Sequence, residues 1–479
     1  MKTKLFPLSL IFLAFSCSPI SPYKKPIPYT PVDWKKETKQ EIETTEKFCM
    51  ADWWKVFNDP LLTELEEIAL KNNQTLKAAI QNYMQARAQA EIARSYLYPS
   101  VFFQPAFLKR EGVLGSGFNN MNGPLNKNAI APSAPSELLR GVFPQYTLPL
   151  NINYQVDLWS EIRNGYNAAL YTEEAALMSF NSILLSITTD LADNYFILRS
   201  LDSEREVLEE SQRLRKNAVE INEARYDAGI VNYTDVSRAI TEYADVNADY
   251  QDMLRQRSIQ ENMIATLAGF QAPEFSVDFS PLHVDPPLIP PGIPASVLAQ
   301  RPDIRERERL IAAAWSNIAV AYASYLPSLD LAGSIGFSTP VWSNLLDWKS
   351  RFWSYTVSIS QMIFDGGAVS GNVELEKARY LQNLGLYEQN VLVAFQEVED
   401  ALAGIKYLET QASYLVQAVD AAKDTLDLSQ DRYDRGIVTY LDVVDAERTL
   451  LDSQRAYVRV FGARYASTVH LIRALGGSF

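Results

Sequence analysis

The segment Arg225-Tyr-Asp-Ala-Gly-Ile-Val-Asn-Tyr-Thr-Asp-Val236 returns, with nine of twelve residues identical, as Arg432-Tyr-Asp-Arg-Gly-Ile-Val-Thr-Tyr-Leu-Asp-Val443. The chain is therefore an internal duplication, and each copy centres a glycine turn between two long helical stretches. At the same offset the apolar stripe Leu177, Phe180, Leu184, Ile187, Leu191, Leu198, Leu201 reappears as Leu384, Tyr387, Val391, Ala394, Val398, Ile405, Leu408. Alternating steps of three and four are the seam of coiled-coil packing. Tyr166 to Ala228 contains neither Gly nor Pro, so one helix of about 60 residues is expected, roughly 90 Å long. No compact globule needs that length.

Each tip leads into a returning helix, about Thr234 to Ala268 and Leu441 to Leu475. Each long helix is preceded by a shorter one, about Leu61 to Tyr96 and Pro302 to Tyr325. These end in matched text, Ser95-Tyr-Leu-Tyr-Pro-Ser100 and Ala323-Ser-Tyr-Leu-Pro-Ser328. The inserts that follow change period. Tyr146, Leu148, Leu150, Ile152, Tyr154 and Val156 alternate with mostly polar residues, as do Leu329 to Phe337 and Trp353 to Ile359, while Val101 to Leu108 is less regular. Four strands near ten residues long are expected, the length a tilted strand needs to cross a bilayer. The first hairpin carries a long loop, Arg110 to Gly141, and the second a shorter one, Thr339 to Ser350.

At the N-terminus Lys2 and Lys4 precede an apolar run, Leu5 to Phe15, that ends at Ser16-Cys17, which reads as a signal peptide over 1–16. Cys17 resembles a lipoprotein processing site, where it would carry acyl chains such as palmitate; Ala14 and Phe15 depart from that pattern, and plain signal cleavage is the other reading. Cys49 is the second of two cysteines, so no disulfide framework is expected. The resulting division is a lipid-anchored tether over 17–58, a first repeat over 59–280, a Pro-rich linker over 281–294 and a second repeat over 295–479. With 58 acidic against 44 basic residues the formal charge is −14, which argues against nucleic acid as a partner.

Four strands cannot close a barrel in lipid, where an open edge leaves backbone groups unpaired, so several chains must contribute to one channel. Three chains give twelve strands and leave a pore. The competing reading is a soluble antiparallel sheet packed on the helices with the same alternation. The signal sequence, the strand lengths and the aromatics Tyr146, Tyr154, Trp159, Trp353 and Tyr355 favour the membrane.

The chain resembles the TolC-like outer-membrane factors of tripartite efflux pumps, in particular the lipoprotein branch serving resistance-nodulation-division transporters. The resemblance rests on Asp52-Trp-Trp-Lys-Val-Phe-Asn-Asp-Pro60, Asn72-Asn73-Gln74-Thr75-Leu76, Gly292-Ile-Pro294 leading to Leu298-Ala-Gln-Arg-Pro-Asp-Ile304, Asp157-Leu-Trp, Phe364-Asp-Gly-Gly367 and the paired tips. It implies a mixed α/β membrane protein, a homotrimer whose twelve-stranded outer-membrane β-barrel continues into a long periplasmic α-helical barrel. It also implies an outer-membrane exit duct for drugs or other small molecules, partnered by a periplasmic adaptor and an inner-membrane pump, without cofactor or metal.

By the same resemblance, Asp442 and Asp445 ring the closed periplasmic mouth, one helical turn apart. Thr439-Tyr-Leu-Asp442 also fits a capping box, as does Asn232-Tyr-Thr-Asp235, so capping explains Asp442 and Asp235 without a gate but leaves Asp445 unexplained. Asp235 could alternatively bond across helices. Tyr226 and Tyr433 either join interhelical bonds or simply pack between coils. Gly229 and Gly436 are expected to end the incoming helices at positive φ, and Arg225 and Arg432 to compensate the helix dipoles; the resemblance adds adaptor contact to all four.

Enzyme chemistry has little support. His283 and His470 lack ligand-spaced neighbours, and neither a G-x-S-x-G elbow nor a P-loop is present. The alternatives kept beside the efflux duct are a type I protein-secretion duct and a periplasmic coiled-coil spacer lipoprotein.

Overall fold

In a computed structural model, residues 18–31, 34–35, 52–114, 139–290 and 294–477 are described. The signal peptide, Cys17, Cys49 and much of the expected tether lie outside them. The chain divides into two compact units that cut across the repeats. One gathers the described residues up to Lys24, Ala88–Leu170 and Ala312–Tyr380; the other gathers Lys25–Arg87, Tyr171–Ile311 and the described residues from Leu381 onward.

The first unit holds one antiparallel sheet. Its strands are β1 (Ser100–Phe103), β2 (Ala106–Leu114), β3 (Leu139–Val156), β4 (Ser328–Thr339) and β5 (Arg351–Ser360), in the order β1-β3-β4-β5 with β2 also on β3. The expected first strand is thus interrupted at Gln104–Pro105. Its two pieces nonetheless keep one register, since Ser100 faces Asn153, Ala106 faces Thr147, and Gln104 N donates to Pro149 O between them. Pro105 has no N–H to give the ladder, which accounts for the break. Strand pairing runs on to Leu114 and Leu139, so both ends of the loop expected over 110–141 belong to strands. Pro149 lies in the middle of β3, and its neighbour on β4 is Gly336, where a Cβ would come within 2.1 Å of Leu148 O. The atoms met there are backbone, so the close approach of β4 to β3 at this point requires glycine.

Register sorts the two faces. Leu150 pairs with Phe103 and Ile335, Ile335 with Trp353, Leu331 with Tyr154 and Val357, and Leu329 with Val156 and Ile359. The opposite face collects Asn151 with Ser334, Ser334 with Ser354, Gln155 with Asp330, and Asp330 with Ser358. Leu150, Ile152, Ile335, Trp353, Tyr355, Val357 and Ile359 are all exposed, Trp353 at 71%.

The second unit is helical. The expected helix from Leu61 to Tyr96 breaks into α1 (Pro60–Asn72) and α2 (Gln74–Ser95). Asn73 makes the break by donating from Nδ2 to Leu267 O at 2.8 Å while its Oδ1 accepts from Leu76 N at 3.0 Å. Helices α3 (Glu161–Asp227) and α7 (Ala368–Asp434) have 67 residues each and return as α4 (Tyr233–Ala268) and α8 (Tyr440–Ala474). The short α5 (Pro294–Gln300) and α6 (Pro302–Ala323) flank Arg301, which bonds Asp303 at 2.7 Å, Glu397 at 2.6 Å and Ala474 O at 3.1 Å.

The seams foreseen from the heptads are buried at Ile187, Leu191 and Leu198 and at Tyr387, Val391, Ala394 and Val398. The main core joins Leu191, Phe196, Ile264, Val398, Tyr465 and Ile472 to Trp34, Trp53 and Trp54. All three tryptophans therefore pack as core, although they fall in the segment read as tether. Asp59 caps α1 by accepting from Leu61 N and Leu62 N, with Pro60 at the first helical position, and also accepts the Tyr195 hydroxyl at 2.5 Å. This explains the Asp-Pro step in the first quoted motif.

Candidate functional site: the paired helical tips

Both tips close the same way. Gly229 takes φ 70° and Gly436 φ 71°. Ile230 N returns to Arg225 O at 2.8 Å and Ile437 N to Arg432 O at 2.9 Å, the six-to-one bond of a Schellman cap. Ile230 and Ile437 are left exposed at the two ends.

Behind the tips, Ala218 and Val219 of α3, Ala239 of α4, Leu426 and Tyr433 of α7 and Tyr440, Val443 and Val444 of α8 form one apolar cluster. Tyr433 donates its hydroxyl to Asn222 Oδ1 at 3.0 Å, so this tyrosine does bond between helices. Arg225 stands over the Tyr433 ring at 4.7 Å and pairs with Asp434 at 3.0 Å. It thus ties α3 to α7, a stronger role than dipole compensation alone. Tyr226 instead meets Tyr233 edge-on within its own hairpin, 5.6 Å between centroids.

The two capping-box readings separate. Asp442 turns back to accept from Thr439 N at 2.9 Å and Thr439 Oγ1 at 2.7 Å, and these hydrogen bonds hold its carboxyl below the usual carboxylate range. Asn232 makes no side-chain cap bond, and Asp235 lies 3.8 Å from Arg238. Asp445 is exposed, one turn from Asp442.

Sequence reasoning missed the charged links that fasten α8. Glu242 of α4, almost fully buried, holds Arg215 of α3 at 3.1 Å and also pairs with Arg448 of α8. Farther along, Arg455 of α8 bridges Asp249 at 2.6 Å and Glu204 at 2.8 Å, and Arg459 reaches Glu204 at 3.2 Å. Beside them Glu447 is pushed above the usual carboxylate range by burial, with Arg215 acting in the opposite sense. The partners repeat at intervals of seven, Glu242 to Asp249 and Arg448 to Arg455. That heptad spacing marks one charged face on each helix, but which faces meet is not written in it. Among the described residues no group of His, Cys, Asp and Glu has the makings of a metal site.

A sheet with one apolar and one polar face, carried by the same chain as two long helical hairpins, is the arrangement expected of a channel-forming outer-membrane protein. The profile of the outer membrane efflux protein family matches residues 65–270 and 293–477, and the chain belongs to that family. It is 28% identical to the toluene efflux pump outer membrane protein TtgC of Pseudomonas putida over 98% of this chain and 95% of that one. It is also 28% identical to the solvent efflux pump outer membrane protein SrpC of Pseudomonas putida, over 100% and 99%. The solved outer-membrane channel OprN superposes with a TM-score of 0.86 at 27% identity, covering 96% of this chain and 99% of that one. The protein is an outer-membrane efflux duct that reaches into the periplasm.

Proposed function

We propose that three copies close a twelve-stranded barrel and form the passive exit duct of a tripartite pump, shut at its periplasmic mouth by the α7–α8 hairpins. The carrying observation is the sheet: one face apolar and exposed, the other polar, with β1–β2 and β5 as edges that have no strand partner among the described residues. An open edge is not tolerated in hydrocarbon, and a ring of copies supplies its partner.

The polar face lines the lumen and the apolar face meets lipid. Ser18, which follows Cys17, lies with its Oγ 3.4 Å from Asn164 Nδ2, eight residues beyond the end of β3. Acyl chains on Cys17 would then enter the same leaflet that the strands leave, in keeping with a lipid anchor.

At the mouth, Asp445 of three copies makes the ring of carboxylates, and Asp442 adds a second ring while capping α8. Such rings favour cations. Asp235, Tyr433 and Tyr226 belong to the closed arrangement, in which Tyr433 and Arg225 hold α7 against α3. Opening requires α8 to leave Glu242 and Asp249. The exposed Ile230 and Ile437, with Arg225, Gly229, Arg432 and Gly436, form the surface for a periplasmic adaptor, behind which stands an inner-membrane pump of the resistance-nodulation-division type. Relatives named for toluene and solvent efflux make small apolar molecules, drugs among them, the expected cargo.

The test is single-channel conductance in planar bilayers of wild type beside Asp442→Ala/Asp445→Ala. Small cation-selective currents that grow and lose selectivity in the variant are expected. Equal conductance and selectivity would remove the acidic gate, and absence of pores from folded protein would remove the duct.

A further inference from the structure

The duplication dictates how one copy joins the next. Aligning the repeats on Pro99-Ser100 and Pro327-Ser328 superposes the strand β1–β2 on β4, and the offset that carries Arg225 to Arg432 superposes β3 on β5. The observed ladders obey both alignments, since Ser100 facing Asn153 becomes Ser328 facing Ser360. The sheet is thus two equivalent hairpins, and β3–β4 is the seam between them. In a closed ring the other seam, β5 against β1–β2 of the next copy, is its equivalent.

We infer, resting on the trimeric duct proposed above, that β5 continues to Ile363 along the neighbouring copy in a defined register: Ile363 opposite Val101, Ser358 opposite Ala106, Thr356 opposite Leu108. These pairs are the images of Val156 with Leu329, Asn151 with Ser334 and Pro149 with Gly336 at the internal seam.

Three further observations point the same way. The register places Ile363 and Val357 on the apolar face with Val101 and Phe107, whereas a slip of one residue at this seam would set the apolar residues of one copy against the polar residues of the next. Met362, Ile363 and Phe364 lie beyond the last paired residue of β5 and are bare, Ile363 at 89% and Phe364 at 86% exposure. They are held in place from both sides, Gln361 Nε2 donating to Tyr325 O at 3.0 Å and Asp365 accepting from Val369 N at 2.6 Å. At the internal seam the corresponding place is filled from within, Trp159 Nε1 donating to Pro327 O at 2.8 Å. Gly366 and Gly367 offer no such ring, and Phe364 takes over. The register sets Phe364 opposite Ser100, on the face where a cavity of about 870 Å³ opens beside Tyr96, Tyr98 and Pro99. Phe364 of one copy covers that cavity in the next.

The test is copper-phenanthroline oxidation of outer membranes carrying Cys49→Ser with Val101→Cys and Ile363→Cys together, read on denaturing gels. Covalent trimers are expected from this pair, and neither from the single variants nor from the slipped pair Phe103→Cys/Ile363→Cys. Should the first pair fail to reach the membrane, Leu108→Cys/Thr356→Cys probes the same register. Heat-sensitive trimers in which the slipped pair alone crosslinks, or no pair does, would overturn the register and leave the duct standing. Absence of any trimer in the Cys49→Ser parent would overturn both.

Discussion

Glu66 shows how much a single side chain can oppose the fold that contains it. It lies on the buried face of α1 with Leu62, Leu65 and Ala69, is 0% exposed, and neither carboxylate oxygen has a hydrogen-bond partner. Burial alone pushes its carboxyl well above the ordinary range. The unfolded chain releases that proton in the usual carboxylate window while the native chain keeps it, so stability falls as pH rises between the two values. Glu66→Met removes both orphaned oxygens. A gain of about 1–3 kcal/mol is expected at pH 8, shrinking toward pH 4, where both states hold the proton. Thermal unfolding of the detergent-solubilised protein at the two pH values measures this; a loss of stability at pH 8, or a difference indifferent to pH, contradicts it. Asp442 has the opposite sign. Its lowered carboxyl is ionised in the native state, so its cap persists through neutral pH and is lost only as pH falls through that lowered value.

At the scale of elements, the charged network that joins α3, α4 and α8 divides into a structural and a movable part. Arg215 and Glu242 are both buried, so Glu242→Gln strands a charge inside the helical unit and should cost about 3–5 kcal/mol. Arg448 is half-exposed, and its loss leaves the Arg215–Glu242 pair intact. Arg448→Ala should therefore barely change the unfolding temperature while raising the fraction of time the channel conducts in a planar bilayer. A variant that unfolds early with unchanged gating would assign Arg448 to stability instead.

These links also mark the limit of what the chain disclosed as text. Gly229 and Gly436 gave the tips, because only a left-handed residue ends a helix this way, and the steps of three and four gave the seams. Interhelical charge pairs need the relative rotation of α4 and α8, which periodicity in one helix does not supply. Asn73 was likewise missed, since an asparagine inside a helical pattern becomes a break only once Leu267 O is there to receive it. The interruption at Pro105 was legible in principle, and the extension of β2 and β3 into the first loop was not, because polar residues there keep no alternation.

For the molecule as a whole, the decisive property is the asymmetry of the sheet, and it allows the faces to be told apart by charge. Tyr355 lies on the apolar face opposite Gly333, and Ser354 lies on the polar face opposite Ser334. A lysine facing lipid costs up to about 2–4 kcal/mol near the bilayer centre, and the proposed ring of three copies would multiply it. A lysine in a wet lumen costs far less and adds positive charge to the ion path. Tyr355→Lys should therefore abolish heat-sensitive trimers in outer-membrane fractions. Ser354→Lys should assemble normally and shift the reversal potential under a salt gradient toward anions. The reverse pattern, with Tyr355→Lys tolerated and Ser354→Lys unassembled, would turn the sheet inside out. Equal tolerance at both positions would mean that neither face meets lipid, and the exposed apolar band would then have to be covered by protein.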